Sequence, residues 1–336
     1  MSSSALEDRI KHWTSSYSVL AGTNTPEDST MFVELFNSIY ARKISNSYYY
    51  WRFFNKVVES TLFFAFKQTE LVGACGYNLF EINSDLPIRN ALLVDMMVSA
   101  KHRSVGLAFS RLNLEIENAA RQNGAKCLFL FPNQRGADAW LASEGWVRIT
   151  QMITCSCKTR PKKMNTSIDI REVPCFDDWV NIISTAFSRN HPSLTFTKRD
   201  KQYLNWRLVD SPVYKYSIHA MYFNEEIYGY IVLKVFHDPK TGNAFGDIVD
   251  ILWSEDDSNL LNNMLEFALD HFYQQGIKEA TTWLQTNTIL DDIGHNTGFR
   301  DTEQIRDFCY KPLDQAYIWL KDPKNWFITL SDSEIY

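Results

Sequence analysis

The sequence predicts an α+β fold that is used twice, in two tandem domains, each a mixed and mostly antiparallel sheet flanked by helices. Two observations lead to this prediction. The first is a set of short motifs that recurs in the same order in both halves of the chain. The second is the pattern of apolar residues, in which helical segments stand among strand-like runs separated by polar turns.

The recurring motifs lie about 150 residues apart along the chain. They pair Trp51 with Trp206, Gly73 with Gly229, Asp95 with Asp250, Asn133 with Asn287, and Gly145 with Gly298. Because five landmarks keep one order and nearly constant gaps, we interpret them as an internal duplication.

Composition narrows the class of protein. The chain has 336 residues, of which 45% are apolar and 22% charged, and this describes a globular protein long enough for two domains. A net charge of −6 gives no general attraction to nucleic acid. Without a signal-peptide pattern or an apolar run of about 18 residues, we expect a cytoplasmic protein with no membrane span. The Cys155-Ser156-Cys157 spacing is too close for a usual zinc site, so no metal is predicted.

In the first half, Thr25-Pro26 predicts the start of a helix, because Thr is a good N-cap and Pro suits the first helical position. Strands are predicted at 61–66, 72–80 and 91–98, then a helix at 105–122, a strand at 127–131, a helix at 137–143 and a strand at 146–155. A further short helix is predicted near 6–13.

The second half repeats this order. The predictions are a helix at 176–187, strands at 216–223, 227–236 and 247–253, a helix at 258–274 with Ser258 as N-cap, a strand at 279–285, and a short helix before Gly298.

The predicted boundaries follow from these elements. They are an N-terminal extension over 1–25, a first domain over 26–157, a basic linker over 158–167, a second domain over 168–313 and a tail over 314–336. The aromatic residues of the tail predict packing onto the body, and its residues 331–334 are expected to form a loose acidic end.

The loop at 103–108 is the clearest chemical difference between the halves. It reads Arg103, Ser104, Val105, Gly106, Leu107 and Ala108. A glycine-containing loop at a helix N-terminus offers backbone N–H groups and the positive end of the helix dipole, which suit a pyrophosphate. In the second half the corresponding loop carries Glu255, Asp256 and Asp257, which would repel phosphate. We therefore expect the cofactor site in the first half.

This order of elements and motifs resembles the GNAT family of N-acetyltransferases. That family marks its acetyl-coenzyme A site with Gln/Arg-x-x-Gly-x-Gly/Ala and often carries an Asn before a terminal Gly-Phe. The matching residues are Arg103, Gly106 and Ala108, followed by Asn133 and Gly145-Trp146. The resemblance covers 26–155 and, more faintly, 168–313.

The resemblance implies acetyl-CoA or another acyl-CoA as co-substrate and no metal. The pantetheine arm would lie between the strand ending at Val98 and the next strand. An amine would attack the thioester directly while a backbone N–H near Val98 polarises the carbonyl. The implied cofactor-binding residues are Met97, Val98, Arg103, Ser104, Val105, Gly106, Leu107, Ala108 and Asn133.

Two positions depart from the family pattern. Many members place a Tyr general acid where this chain has Leu141, and some place a Glu base where it has Leu92. Asp95 is the nearest carboxylate and the candidate catalytic residue, although strand alternation would turn it to the face opposite Leu92.

Asp95 also has a structural interpretation. An Arg–Asp pair shared by both halves, Arg52 with Asp95 and Arg207 with Asp250, would hold a strand to a helix. Tyr50 and Trp51, the candidate substrate-binding residues, either line an acceptor pocket or cover the core.

The sequence thus predicts an N-acetyltransferase that acts on a primary amine of a small molecule, such as an amino sugar or an amino-acid derivative, as a monomer or homodimer. Two alternatives stay open. A Fem-type aminoacyl or peptidyl transferase is disfavoured by the net charge and the phosphate loop. A non-catalytic acyl-CoA-binding or scaffolding protein is supported by the missing Tyr and Glu.

Overall fold

A computed structural model describes residues 16–83, 88–103, 106–161, 168–238, 242–285 and 288–333. Over these residues the chain forms one sheet of thirteen strands, flanked by helices. This is the predicted α+β class with mostly antiparallel strands. The helix predicted near 6–13 lies outside the described residues.

Over its described residues, the first half contains every predicted element and three more. Its elements are β1 (Tyr17–Ala21), α1 (Pro26–Ile39), α2 (Asn46–Phe53), β2 (Glu59–Lys67), β3 (Glu70–Asn83), β4 (Ile88–Val98), α3 (Ala100–Arg103), α4 (Leu107–Gln122), β5 (Cys127–Leu130), α5 (Gln134–Leu141) and β6 (Val147–Lys158). As predicted, the Thr25 side chain accepts the amide of Asp28 at 3.3 Å and begins α1. Strand β1 and helices α2 and α3 were not predicted.

The second half follows the same order. Its elements are β7 (Ile168–Val173), α6 (Trp179–Asn190), β8 (Phe196–Thr197), α7 (Lys201–Leu204) with a π-helical turn (Asn205–Val209), β9 (Ser217–Phe223), β10 (Glu226–His237), β11 (Ala244–Trp253), α8 (Ser258–Gln274), β12 (Glu279–Trp283), α9 (Ile289–Thr297) and β13 (Arg300–Pro312). Three 3-10 turns follow, at Gln315–Lys321, Pro323–Asn325 and Leu330–Asp332.

The strands run in the order β1-β2-β3-β4-β5-β13-β6-β12-β11-β10-β9-β7, and β8 pairs with β3. Each half has four antiparallel strands followed by a parallel neighbour, β4 with β5 and β11 with β12. The last strand of each half pairs with a strand of the other half: β13 pairs with β5, and β6 pairs with β12. One sheet therefore runs through both halves.

Trp51 and Trp206, the first pair of repeated landmarks, pack against each other where the halves meet. Their rings stack at 5.3 Å, and each indole N–H donates to the backbone carbonyl of the other residue, at 2.7 and 2.9 Å. The two halves are thus joined by a reciprocal contact between corresponding residues.

The tail packs onto the body as predicted, but its acidic end is not loose. Trp326, Phe327 and Leu330 are fully buried. Asp332 is buried as well and forms an ion pair with buried Arg199 at 2.7 Å. The prediction of a loose end is therefore wrong for residues 331–333, because a buried arginine holds the carboxylate.

Candidate functional site

A cavity of about 530 Å³ lies where β4 and β5 separate. The two strands pair in parallel from Asn90 to Leu92, after which β4 continues to Val98 while β5 ends at Leu130. The walls are mainly apolar, and the polar side chains among them belong to Tyr40, His102, Arg103 and Asn133.

The edge of β4 directs backbone groups into this cavity. The amide of Ser99 donates to the carbonyl of Val72 on β3, so the backbone groups of Ser99 face β3. Because successive residues of a strand direct their amide and carbonyl to opposite sides, those of Val98 face the gap. The carbonyl of Val98 accepts Nε of Arg103 at 2.6 Å, and the Tyr40 hydroxyl donates to the carbonyl of Met96 at 3.1 Å. The Val98 N–H is therefore a backbone donor directed at the cavity.

The N-terminus of α4 opens at the same cavity. Gly106 is its N-cap and adopts the left-handed conformation, with φ 68°. Among the described residues no side chain caps this helix, and its first turn contains no acid. Because the first amides of a helix have no acceptor within the helix, α4 offers donors at its positive end.

The conformation of Gly106, rather than crowding, requires a glycine there. An added Cβ would meet nothing within 4 Å, but a φ of 68° is strained for most other residues. The open space is where a ligand can reach the backbone.

Most of the predicted cofactor-binding residues meet at this cavity. Met97, Val98, Arg103, Gly106 and Asn133 line it. Leu107 and Ala108 begin α4, where Ala108 is fully buried in the core, and Ser104 and Val105 lie outside the described residues. Their roles in binding stay predictions.

Asn133 also has a structural role. Its side chain accepts the amide of Gly136 at 2.8 Å and begins α5. Trp140 of α5 packs on Phe109 and Trp146, with ring centres 4.8 and 4.9 Å apart. Helix α5 thereby closes one side of the cavity with aromatic rings.

Asp95 sits in a β-bulge and does not line the cavity. Its φ is 53°, and the register with β3 shifts between Ala74 and Gly76. Because the bulge resets strand alternation, the carboxylate reaches the core side that Leu92 also faces, where the Tyr48 hydroxyl lies 3.0 Å from both carboxylate oxygens. The predicted opposite face is therefore wrong.

The predicted Arg–Asp pair is confirmed in one half only. Arg52 lies 3.7 Å from Asp95, both buried. Asp250 instead pairs with Arg199 at 3.1 Å, while Arg207 donates to the carbonyl of Ser333 at 2.6 Å. The pair predicted between Arg207 and Asp250 is therefore wrong. Asp250 pairs with Arg199 instead, and Arg207 binds the backbone of the buried tail.

Tyr50 and Trp51 do not line the cavity. Trp51 lies at the contact between the halves, and Tyr50 is half-buried against Tyr49, at a ring distance of 5.4 Å. The sequence left two interpretations open, and the structure agrees with the second: Tyr50 and Trp51 both cover the core.

The corresponding helix of the second half, α8, is capped by the side chain of the residue that precedes it. Asp257, not the predicted Ser258, is the N-cap, and its carboxylate accepts the amides of Asn259 and Leu260 at 2.7 and 3.2 Å. Asp256 accepts the indole N–H of Trp253 at 2.8 Å. A carboxylate thus occupies the position where an anion would bind.

In the second half, the tail occupies the space beside the C-terminal end of β11. Phe327 packs on Phe187 and Trp253 at ring distances of 4.9 and 5.5 Å. The side chain of Gln285 accepts the amide of Ile328 at 2.9 Å and donates to the carbonyl of Trp326. A smaller cavity of about 340 Å³ remains beside them.

Sequence reasoning missed Tyr40. In the sequence Tyr40 only continues the helical spacing of apolar residues after Pro26, and nothing in that spacing shows that its hydroxyl reaches β4, 56 positions further along the chain. Contacts across such a separation depend on the fold rather than on local pattern.

No protein-family model matches the chain, and no curated protein sequence matches it. Solved structures match in fold at low sequence identity. A GCN5-related N-acetyltransferase from Anabaena variabilis has a TM-score of 0.63 at 11% identity, over 87% of this chain and 72% of that chain. An Enterococcus faecalis protein of unknown function, described as a probable N-acyltransferase, has a TM-score of 0.62 at 11% identity over the same shares.

The N-myristoyltransferase of Saccharomyces cerevisiae, solved with bound myristoyl-CoA and inhibitors, has a TM-score of 0.61 at 10% identity, over 89% of this chain and 80% of that chain. Among the described residues, no helix has the length and apolar content needed to cross a membrane. At these identities the likeness shows the fold alone. The chain therefore has a GNAT-like fold.

Proposed function

We propose that the protein is an acyl-CoA-dependent N-acyltransferase, most simply one that moves acetyl from acetyl-CoA to a primary amine of a small molecule. The observation that carries this proposal is the contrast between two corresponding helices. In the first half α4 opens uncapped at a cavity, and in the second half α8 is capped by Asp257. The names of the structural neighbours, which include N-acetyl and N-myristoyl transferases, agree with it.

The residues of the first cavity fit the chemical groups of an acyl-CoA. The uncapped amides after Gly106 and the side chain of Arg103 would hold the pyrophosphate. The unpaired edge of β4 near Val98 and the apolar walls would hold the pantetheine arm and the thioester. Acyl-CoA supplies the activated acyl group.

The protein's own groups can then assist transfer. The apolar walls exclude water and favour a neutral amine. The Val98 N–H would donate to the carbonyl oxygen as negative charge develops on it. The C–N bond forms, the C–S bond breaks, the attacking nitrogen releases one proton to water, and the thiolate takes one up. A thiol pKa of about 8.5 lets water supply that proton.

We also propose that the second half is a duplicate that has lost the cofactor site and supports the first. The repeated strand order and the reciprocal Trp51–Trp206 contact support a duplication. The Asp257 cap and the buried tail would exclude acyl-CoA from the second half.

Release of thiol from acetyl-CoA across a panel of primary amines tests the proposed activity. At least one amine should accelerate release, and acetylated product should form in equal amount. Gly106→Asp should abolish the acceleration. Gly276→Asp is the matched control, because Gly276 also has a positive φ, of 75°, and open space around it but ends α8. No response to any amine, with acetyl-CoA still bound, would favour a binding protein without transferase activity.

A further inference from the structure

The loop after α1 places Arg42 where the two halves meet, with the ring of Phe36 between it and the first cavity. Tyr40, which lines the cavity, packs on Phe36 at a ring distance of 4.6 Å. The guanidinium of Arg42 also lies over the ring of Phe36, 5.3 Å from its centre. Arg42 is thus one aromatic ring away from a residue that lines the cavity.

Three aromatic rings from both halves hold this guanidinium. Besides Phe36, the rings of Tyr48 and Tyr214 lie 5.5 and 5.7 Å from it. Its Nη1 donates to the hydroxyl of Tyr214 at 3.0 Å. Cation–π contacts and this hydrogen bond fix the position of the charge without neutralising it.

No carboxylate of the described residues forms an ion pair with Arg42. The nearby acids are already committed, Asp95 to Tyr48 and Arg52, and Asp247 to Lys234 at 3.1 Å. The Nε and Nη2 groups of Arg42 have no acceptor among the described residues and are not sealed from solvent. A fixed, un-neutralised and accessible guanidinium is suited to bind a carboxylate through two parallel hydrogen bonds.

We propose that Arg42 binds a carboxylate of the acceptor, so that the acceptor is an amino acid or an amino-acid derivative with a free carboxyl group. This inference rests on the proposed N-acyltransferase function. The carboxylate would lie at the contact between the halves, and an amine at the far end of the acceptor, past the ring of Phe36, would point into the first cavity. Tyr214 would then act as a positioning residue from the second half, because its hydroxyl orients the guanidinium.

Matched pairs of probes test this role. Each pair is an amino acid with an amine at the end of its side chain, such as L-lysine or L-ornithine, and its carboxamide, which keep the same amines and side chain and differ in the carboxylate. Binding is measured by thermal shift with and without acetyl-CoA, and turnover by thiol release. At least one acid should bind more tightly than its amide, on the order of tenfold to a hundredfold, as expected for a charged hydrogen bond.

Variants locate the effect. Arg42→Gln should abolish the preference for the acid and leave the affinity for acetyl-CoA unchanged, and Tyr214→Phe should weaken the preference in part. Arg89→Gln is the control, because Arg89 pairs with exposed Glu59 outside the cavity lining. Circular dichroism confirms that each variant is folded.

The outcomes separate the two proposals. If acetyl-CoA binds and no acid is preferred over its amide, or if Arg42→Gln keeps the preference, the role of Arg42 is wrong and the acyltransferase proposal stands. If acetyl-CoA fails to bind, the proposed function is wrong, and an acid preference lost in Arg42→Gln would still identify a carboxylate site.

Discussion

At the scale of single residues, the bulge at Asp95 shows how one backbone conformation changes a functional interpretation. A left-handed residue inside β4 turns the carboxylate toward Tyr48 and Arg52 in the core. Strand alternation alone predicts the opposite face. The sequence identified the Arg52–Asp95 pair correctly because a repeated motif marked it, but no pattern marked the bulge.

His219 provides a prediction at the same scale. Its ring is buried against Phe267 and His271, and neither ring nitrogen has a hydrogen-bond partner among the described residues. Burial, and then the neighbouring His271, lower the pKa of His219 to about 4. The folded protein therefore binds a proton at His219 more weakly than the unfolded chain does.

Stability should consequently be full above the unfolded pKa, about 6.5, and should fall as the pH drops toward 4, by up to about 3 kcal/mol from this residue. His219→Phe should flatten this decline in urea unfolding between pH 7 and 4. His295→Gln is the control, because His295 is more exposed and its pKa is raised by the carbonyl and carboxylate of Asp291. Equal pH dependence in the wild type and His219→Phe would contradict the assignment.

At the scale of elements, the two corresponding helix N-termini differ in what satisfies their amides. Asp257 satisfies two amides of α8, while α4 begins at Gly106 with no side-chain cap from the part of the chain that the structure describes. The free amides at an uncapped helix N-terminus can bind an anionic ligand. From this contrast we place the proposed cofactor site at the N-terminus of α4.

Asp257→Ala should therefore lower the free energy of unfolding by about 1 kcal/mol, the usual cost of removing an N-cap. Urea titration followed by tryptophan fluorescence measures it. Glu255→Ala is the control, because Glu255 is exposed and lies two positions away on the same loop. A loss as large in Glu255→Ala as in Asp257→Ala would show that local charge, not capping, stabilises α8.

The elements themselves were largely predictable. Periodicity and caps predicted the order of helices and strands in both halves, as at Thr25, where the first helix starts. The exchange of β6 and β13 was not predictable, because alternation shows which face of a strand is buried but not which strand lies beside it. Arg42 and Tyr214 escaped notice for the same reason, since they meet across 172 positions.

At the scale of the whole molecule, each half depends on the other. Strand β5 of the first half pairs with β13, and β12 of the second half pairs with β6. Trp326 of the tail packs on Phe129 and Phe308 at ring distances of 5.9 and 5.1 Å, and so connects the tail to β5 beside the first cavity. The core is continuous across the predicted domain boundary.

A chain ending at residue 160 should therefore fail to fold alone, because β5 would have an open edge and the Trp51 ring would lose Trp206. Co-expression with a chain of residues 161–336 should restore a folded complex. Size-exclusion chromatography and circular dichroism measure both outcomes. A cooperatively folded, monomeric first half would show that the two halves are independent domains.

Binding of acetyl-CoA to three proteins tests the central claim, that the first half holds the cofactor at the N-terminus of α4. Isothermal titration of the wild type should give one site per chain. Gly106→Asp places a carboxylate at the open amides and should remove binding, whereas Gly276→Asp, with the same backbone strain at the end of α8, should keep it. Two sites per chain, or equal affinity in Gly106→Asp and the wild type, would contradict the account.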